Sequence, residues 1–362
     1  MAQTLKFGNG NFATKAGSTL CYDDQNGNFK PIPMDFTRAS TATRVNKQGL
    51  IEVVKSNVPR IDYTDTSDGV LLLEKAATNL IPYSDINTSW NLQANIINSL
   101  NTDVIAPDGT LNGWKASRNI NSNGYTYMTG VGLSTNTIYT ASIWLKAYDV
   151  TICDAVVFNF HPNSFTSSST TFSFETGIAS GNGKVEKYSN GWYRLSLTSI
   201  SNSTIGYFDI GLQPYLNGSN NWGGQDGDTL FYAYGTQVEA SSQISSYIPT
   251  QGSATTRVAE TANNSGNSEV FNDSEGVLFV NIAANSDDGT ARTISINNTV
   301  SNRVFLQLRS STGQVNSGVV VGGALQGNAM NYYISQTSNI KFLIKYKVND
   351  FALWVNGFEV GT

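Results

Sequence analysis

Apolar side chains recur at every second residue through most of this chain. Over 340–348, Ile340, Phe342, Ile344, Tyr346 and Val348 alternate with Lys341, Leu343, Lys345 and Lys347. Successive side chains of an extended strand point to opposite faces, so such a stretch is a half-buried β-strand. Phe208, Ile210 and Leu212 alternate in the same way with Tyr207, Asp209, Gly211 and Gln213. Tyr193, Leu195 and Leu197 alternate with Trp192, Arg194, Ser196 and Thr198. Further strands are expected over 137–147, 229–238, 276–282, 303–308 and 351–355. Turn signals separate the strands: Asn26-Gly27, Asp108-Gly109, Asn190-Gly191, Asp288-Gly289 and Asn356-Gly357. Asn-Gly and Asp-Gly tolerate the positive φ of tight hairpin turns. Many short strands joined this way predict an all-β sandwich or barrel. The best helix candidate is 89–100, with Trp90, Ile96, Ile97 and Leu100.

Composition narrows the function. The chain has 362 residues, 22 Lys+Arg against 27 Asp+Glu, one His and two Cys. Its 14% of charged residues is far below the usual quarter, and about 40 Asn help to replace them. With 40% hydrophobic residues and a net charge of −5, the chain is not of the disordered class. It lacks the basic excess needed to neutralise a phosphate backbone, so nucleic acid is not an expected partner. Cys21 and Cys153 lie far apart in sequence and read as small buried residues. One His and two Cys are too few for a zinc site. No apolar run of about 18 residues suggests a membrane helix. The opening Met1-Ala2-Gln3-Thr4-Leu5-Lys6 lacks the apolar core of a secretory signal, so synthesis in the cytoplasm is expected.

Four stretches separate by composition. Residues 1–82 hold several short strands without an evident core. Residues 83–250 carry the aromatic-rich strands. Residues 251–275 are small and polar and read as a linker. Residues 276–362 form a last all-β stretch that ends on a hairpin, which predicts a partial sandwich. Ser40-Thr41-Ala42-Thr43-Arg44-Val45 is echoed by Ser253-Ala254-Thr255-Thr256-Arg257-Val258, a similarity short enough to arise by chance.

One series of residues is recognisable. It runs from Asp35-Phe36-Thr37-Arg38-Ala39-Ser40-Thr41-Ala42-Thr43-Arg44-Val45-Asn46 through Gly49-Leu50-Ile51-Glu52 and Pro59-Arg60-Ile61-Asp62-Tyr63. It closes with Gly69-Val70-Leu71-Leu72-Leu73-Glu74 and Thr78-Asn79-Leu80-Ile81-Pro82-Tyr83-Ser84. The series resembles structural proteins of tailed bacteriophages, of the head-fibre, tail-fibre and appendage kind. Tyr139-Thr140-Ala141-Ser142-Ile143-Trp144, Asn190-Gly191-Trp192-Tyr193-Arg194 and Ser246-Tyr247-Ile248-Pro249-Thr250 resemble a carbohydrate-binding type of jelly roll. Phe351-Ala352-Leu353-Trp354-Val355-Asn356-Gly357 is similar to a hairpin of concanavalin/laminin-G-like sandwiches. The resemblance implies an extended N-terminal attachment and trimerisation region over 1–82, a jelly roll over 83–250 and a partial sandwich over 276–362. It implies a virion location, a homotrimer, contacts to capsid or tail proteins through the N-terminal region, and adhesion to host or mucosal glycans.

Residue chemistry favours binding over catalysis. The one imidazole, His161, lies in Phe160-His161-Pro162-Asn163, with no residue placed to orient its ring. Sugars offer C–H faces and hydroxyl edges, so their sites combine aromatics with amides and charges. Tyr207, Asp209, Gln213 and Tyr215 share one face of a strand whose other face is Phe208, Ile210 and Leu212. Trp192 and Arg194 share a face of a second strand, and Trp222 lies in a Gly/Asn loop. These seven are the candidate saccharide contacts. Asp226 and Asp228, in Asp226-Gly227-Asp228, are weak candidate ligands for a structural calcium ion, and the turn preferences of Asp and Gly are the favoured account of them; no other cofactor is expected. The expected function is non-enzymatic adhesion by a phage structural protein. The alternatives are a structural collar or head-decoration protein and a polysaccharide depolymerase.

Overall fold

The computed structural model describes the chain apart from residues 1–11, 16–17, 24–26, 33, 86–90, 94–95, 101–102, 120–124, 129–131, 133, 161–163, 167–168, 203–209, 220–223, 269–270 and 310–312. The all-β reading holds. Every paired strand is antiparallel, and the one helical element among the described residues is a 3-10 turn at Ser189–Gly191. No described helix is long and apolar enough to cross a membrane. The region 89–100 is not helical: it carries the strands Asn91–Gln93 and Ile96–Leu100. Its Asn-rich sequence has little helix propensity, and both strands find partners in neighbouring sheets.

The chain divides into two compact units, with the boundary between Ser265 and Gly266. In the first, two six-stranded sheets face each other. The front sheet runs Asn91–Gln93, Tyr125–Met128, Ile210–Tyr215, Ala155–Phe160, Ser169–Ser173 and Ile178–Ala179. The back sheet runs Ile96–Leu100, Trp114–Arg118, Thr229–Glu239, Ile138–Ala147, Tyr193–Ile200 and Gly183–Lys187. The chain passes back and forth between them as in a jelly roll. One face of each strand fills the space between: Ile210 and Leu212, Val156, Phe158 and Phe160, Ala141, Ile143 and Leu145, and Leu195 and Leu197 are all in one buried cluster. Cys153 lies in this cluster, where burial pushes its thiol up to about 12. Both cysteines are buried, as expected.

The second unit is a sandwich of two four-stranded sheets. Glu275–Ile282, Ile340–Lys347, Asp350–Val355 and Phe358–Gly361 make one; Arg292–Thr299, Asn302–Leu308, Gln314–Val321 and Ala324–Tyr333 make the other. The unit has a core of its own, with Leu306, Val315, Phe342, Ile344 and Leu353 fully buried. The two-residue turn Asn356-Gly357, both at positive φ, closes the last hairpin.

The segment from Asp35 to Ser84 is part of the first unit, and so is most of the stretch that reads as a linker. Asp35–Thr37 pairs with Thr261–Asn263, and Ala77–Asn79 pairs with Thr255–Arg257. The two halves of the sequence echo have different fates: Arg44 pairs near the surface with Glu52, whereas Arg257 is fully buried.

A buried ionic cluster holds these segments together. Glu260 accepts from Arg38 Nη1 at 2.7 Å, from Arg60 Nε at 2.8 Å and from the Glu74 backbone N–H at 2.9 Å. Arg60 also reaches Glu74 at 2.8 Å, the Thr43 carbonyl at 2.8 Å and Ser246 Oγ at 2.7 Å. Arg257 lies 3.4 Å from Glu74. Beside the cluster, the buried Asn79 spends its whole amide: it donates to the Thr236 and Ile248 carbonyls and accepts from the Val238 and Ile81 N–H groups.

Two predictions follow from the cluster. Removing one partner of a buried ion pair leaves the other charge uncompensated, at about 3–5 kcal/mol. Glu260→Ala is therefore expected to cost about that much in urea denaturation, whereas Glu52→Ala, which breaks the outlying Arg44 pair, costs about 1 kcal/mol or less. Equal costs would remove the cluster's structural role. The second concerns acid. Burial alone would raise the Glu74 carboxyl, but Arg257 and Arg60 outweigh it and hold it below the ordinary carboxylate range. Such a group contributes stability that is complete above its unfolded pKa of about 4.3 and is lost as pH falls through the lower folded value. Glu239 has the opposite sign: burial raises its carboxyl, so its protonation favours the fold as pH falls. Urea midpoints from about pH 5 to about pH 3 should fall for the parent chain and fall less steeply for Glu74→Gln.

Candidate functional site

The outer face of the front sheet carries the described part of the expected binding surface. On Ile210–Tyr215 the core takes Ile210 and Leu212, so Gly211, Gln213 and Tyr215 turn outward. The strand stays regular through Pro214, which pairs with Val156. On Ala155–Phe160 the core takes Val156, Phe158 and Phe160, leaving Ala155, Val157 and Asn159 outward. On Ser169–Ser173 the buried Thr170 and Phe172 leave Ser169 and Thr171 exposed.

Register aligns these residues into rows. Gln213 is opposite Val157, and Val157 is opposite Thr171. Gly211 is opposite Asn159, and Asn159 is opposite Ser169. Tyr215 is opposite Ala155, which is opposite Ser173. On the other side the backbone register sets Tyr127 opposite Gly211 and Asn91 opposite Tyr127. A Cβ on Gly211 would lie 2.2 Å from Asn159 Oδ1, so the Asn159 amide occupies the space that a side chain at 211 would fill. Among the described residues, the side chains of Asn159, Gln213 and Tyr215 find no hydrogen-bond partner. Two amides and a phenol thus stand half-buried on one face with their donors and acceptors unspent.

Gln213 and Tyr215 are where the alternation puts them. Asn159 and Thr171 were not foreseen. The signal for Asn159 was weak, because Ala155-Val156-Val157-Phe158-Asn159-Phe160 reads as a continuous apolar run with one amide. Tyr207, Asp209 and Trp222 lie outside the described residues, as does His161.

Trp192 and Arg194 are not part of this face. Arg194 lies on a back-sheet strand and Trp192 immediately precedes that strand; both are on the side away from the core, and that side is covered. Ile51, Val104 and Ala106 pack there with Trp144, Trp192, Tyr234 and Tyr247. Trp192 is fully buried and donates its indole N–H to the Ile105 carbonyl at 2.9 Å. The buried Arg194 guanidinium lies over the Trp144 ring, 4.4 Å from its centroid. Burial pushes the Tyr188, Tyr234 and Tyr247 hydroxyls up from their ordinary value, so all three stay protonated at neutral pH. The alternation of Trp192 and Arg194 with Leu195 and Leu197 was right, but their outward face is an interior one.

Asp226 and Asp228 shape a turn. Asp226 pairs with Arg118 Nε at 3.3 Å, and Asp228 Oδ2 accepts the Gln225 N–H at 2.6 Å. Gly227 takes positive φ and donates its N–H to the Arg118 carbonyl. No group of three acid, thiol or imidazole side chains among the described residues is arranged to hold a metal ion. Scanned against protein-family models the chain matches none, and a search of curated proteins finds no match.

The turn reading has a direct test. Asp226 is largely exposed, so Asp226→Asn is expected to change stability by no more than about 1 kcal/mol, and excess EDTA to leave the thermal midpoint in place. A clear drop with EDTA that Asp226→Asn abolishes would restore the ion.

Proposed function

We propose that the chain is a non-enzymatic structural protein of a tailed-phage virion, a fibre or appendage subunit that adheres to host or environmental glycans through the outer face of its front sheet. The observation that carries the adhesive part is the set of unspent groups on that face, Asn159, Gln213 and Tyr215. Amides match the paired donor and acceptor character of sugar hydroxyls, and a phenol ring offers a surface for C–H groups. Gly211 leaves room for the Asn159 amide to lie across the middle of the face. The phage part rests on the resemblance of the series from Asp35 to Ser84. Single sites of this kind are weak, and repetition over a particle raises their combined strength.

A glycan array probed with the parent chain, Asn159→Ala, Gln213→Ala and Tyr215→Ala tests the adhesive reading. Each substitution removes a half-buried side chain of this face and is expected to cost about 1 kcal/mol, about fivefold in affinity for the retained glycan. Binding that none of the three alters would remove this face from the function. Incubation with bound polysaccharide is expected to release no new reducing ends; their appearance would favour a depolymerase.

A further inference from the structure

Among the described residues no strand pairs with the outer edge of Glu275–Ile282, and this edge differs from every other edge of the four large sheets. An unpaired strand edge is a template for another strand, and proteins guard such edges with short strands, charges, prolines or bulges. In the first unit the edge strands Asn91–Gln93, Ile178–Ala179 and Ile96–Leu100 are two to five residues long, and Gly183–Lys187 carries the exposed charges Lys184, Glu186 and Lys187. In the second unit, a register shift interrupts Arg292–Thr299 near Asn297, another interrupts Ala324–Tyr333, and a third falls within the four residues of Phe358–Gly361.

Glu275–Ile282 has none of these guards. Its eight residues pair with Ile340–Lys347 in unbroken register, from Glu275 opposite Lys347 to Ile282 opposite Ile340. It holds no proline, and its one charge, Glu275, sits at the end, tied to Lys347. Lys345, on the neighbouring strand, is engaged by Asp350 at 2.6 Å. The inward face of the edge strand is apolar, and the outward face is apolar at its centre, between Glu275 and Asn281. Val277 and Phe279 are 54% and 58% exposed on the outside, and Leu278, Val280 and Ile282 stay only half-buried against the core.

We propose that this edge pairs with the same edge of a second copy of the chain, antiparallel about a two-fold axis. The strand is self-complementary in that arrangement. Pairing centred on Phe279 sets Phe279 against Phe279 of the second copy and Val277 against Asn281, all on one face. The two Glu275 carboxylates then fall at opposite ends of the paired strands, so no like charges meet. The two four-stranded sheets become one continuous sheet of eight strands, and the exposed flanks of Val277 and Phe279 are covered. A two-fold contact of this type closes on itself.

Two measurements on the full chain test the pairing. Phe279→Lys with Val277→Lys places guards on the exposed face while leaving the core residues intact, and is expected to halve the mass found by sedimentation equilibrium. Val277→Cys with Phe279→Cys supplies thiols that come within disulfide reach of the copy if outward residues lie opposite one another near the strand's centre, since paired Cα atoms there lie about 4.5–5.5 Å apart. Mild oxidation is expected to yield a covalent dimer that a reductant returns to single chains. An unchanged mass in the lysine variant, or no covalent dimer from the cysteine variant, overturns the proposal. A lysine variant with an altered circular dichroism spectrum leaves the cross-link as the deciding measurement.

Discussion

The first unit depends on one buried carboxylate. Glu260 is met by Arg38 and Arg60, and Arg60 carries the contact on to Glu74. These residues come from positions about 200 apart in the sequence, and they meet where water is excluded. Measured against an apolar core of the same volume, such a cluster adds little net stability, because each charge must be stripped of water first. Its value here lies in exclusivity. Arg38 must satisfy the carbonyls of Ser40, Val58 and Lys55 as well as Glu260, and a slipped register would leave charges unmatched. The cluster therefore specifies where the Asp35 to Ser84 segment lies, a task its short strands could not do by themselves.

That placement decides which faces are open. Once the segment is latched, Ile51 and its neighbours cover the outer side of the back sheet and turn Trp144, Trp192 and Arg194 into core. On the outer rows of the front sheet Ser169 and Thr171 are exposed, Asn159, Gln213 and Tyr215 are half-buried, and Val157 between them is buried. The candidate binding face is thus a consequence of ionic packing on the opposite side of the sandwich. Its own residues need only follow the period-two alternation.

Legibility divides along the same line. Strands were readable wherever one face is apolar: Ile340–Lys347, Tyr193–Ile200 and Ile138–Ala147 lie where the alternation sets them. Local pattern, however, records that a side chain leaves the core and not what it then meets. Trp192 meets Ile105, a contact 87 residues away that no local window contains. The stretch 251–275 looked like a linker because its residues are small and polar. Over 251–268 Arg257 and Glu260 are the two ionisable residues, and in a chain so poor in charge they were the available signal of a specific partner. The helix reading of 89–100 failed because its apolar residues supply no clear alternation, and strand pairing decided the outcome.

Scarcity of charge links the interior to the surface. Several of the chain's few arginines and glutamates are buried in the cluster, which leaves still fewer to keep the exterior from associating. Most sheet edges compensate by geometry, through short strands and bulges, which require no charge. Glu275–Ile282 is long and regular with one charge at its end; the nearest lysines lie on the neighbouring strand, where Asp350 and Glu275 engage Lys345 and Lys347 and Lys341 stands exposed opposite Asn281. The same economy leaves amides and hydroxyls as the polar groups of the front face, suited to neutral hydroxylated ligands more than to phosphates or metal ions. Pairing two copies through one edge doubles the number of such faces in an assembly.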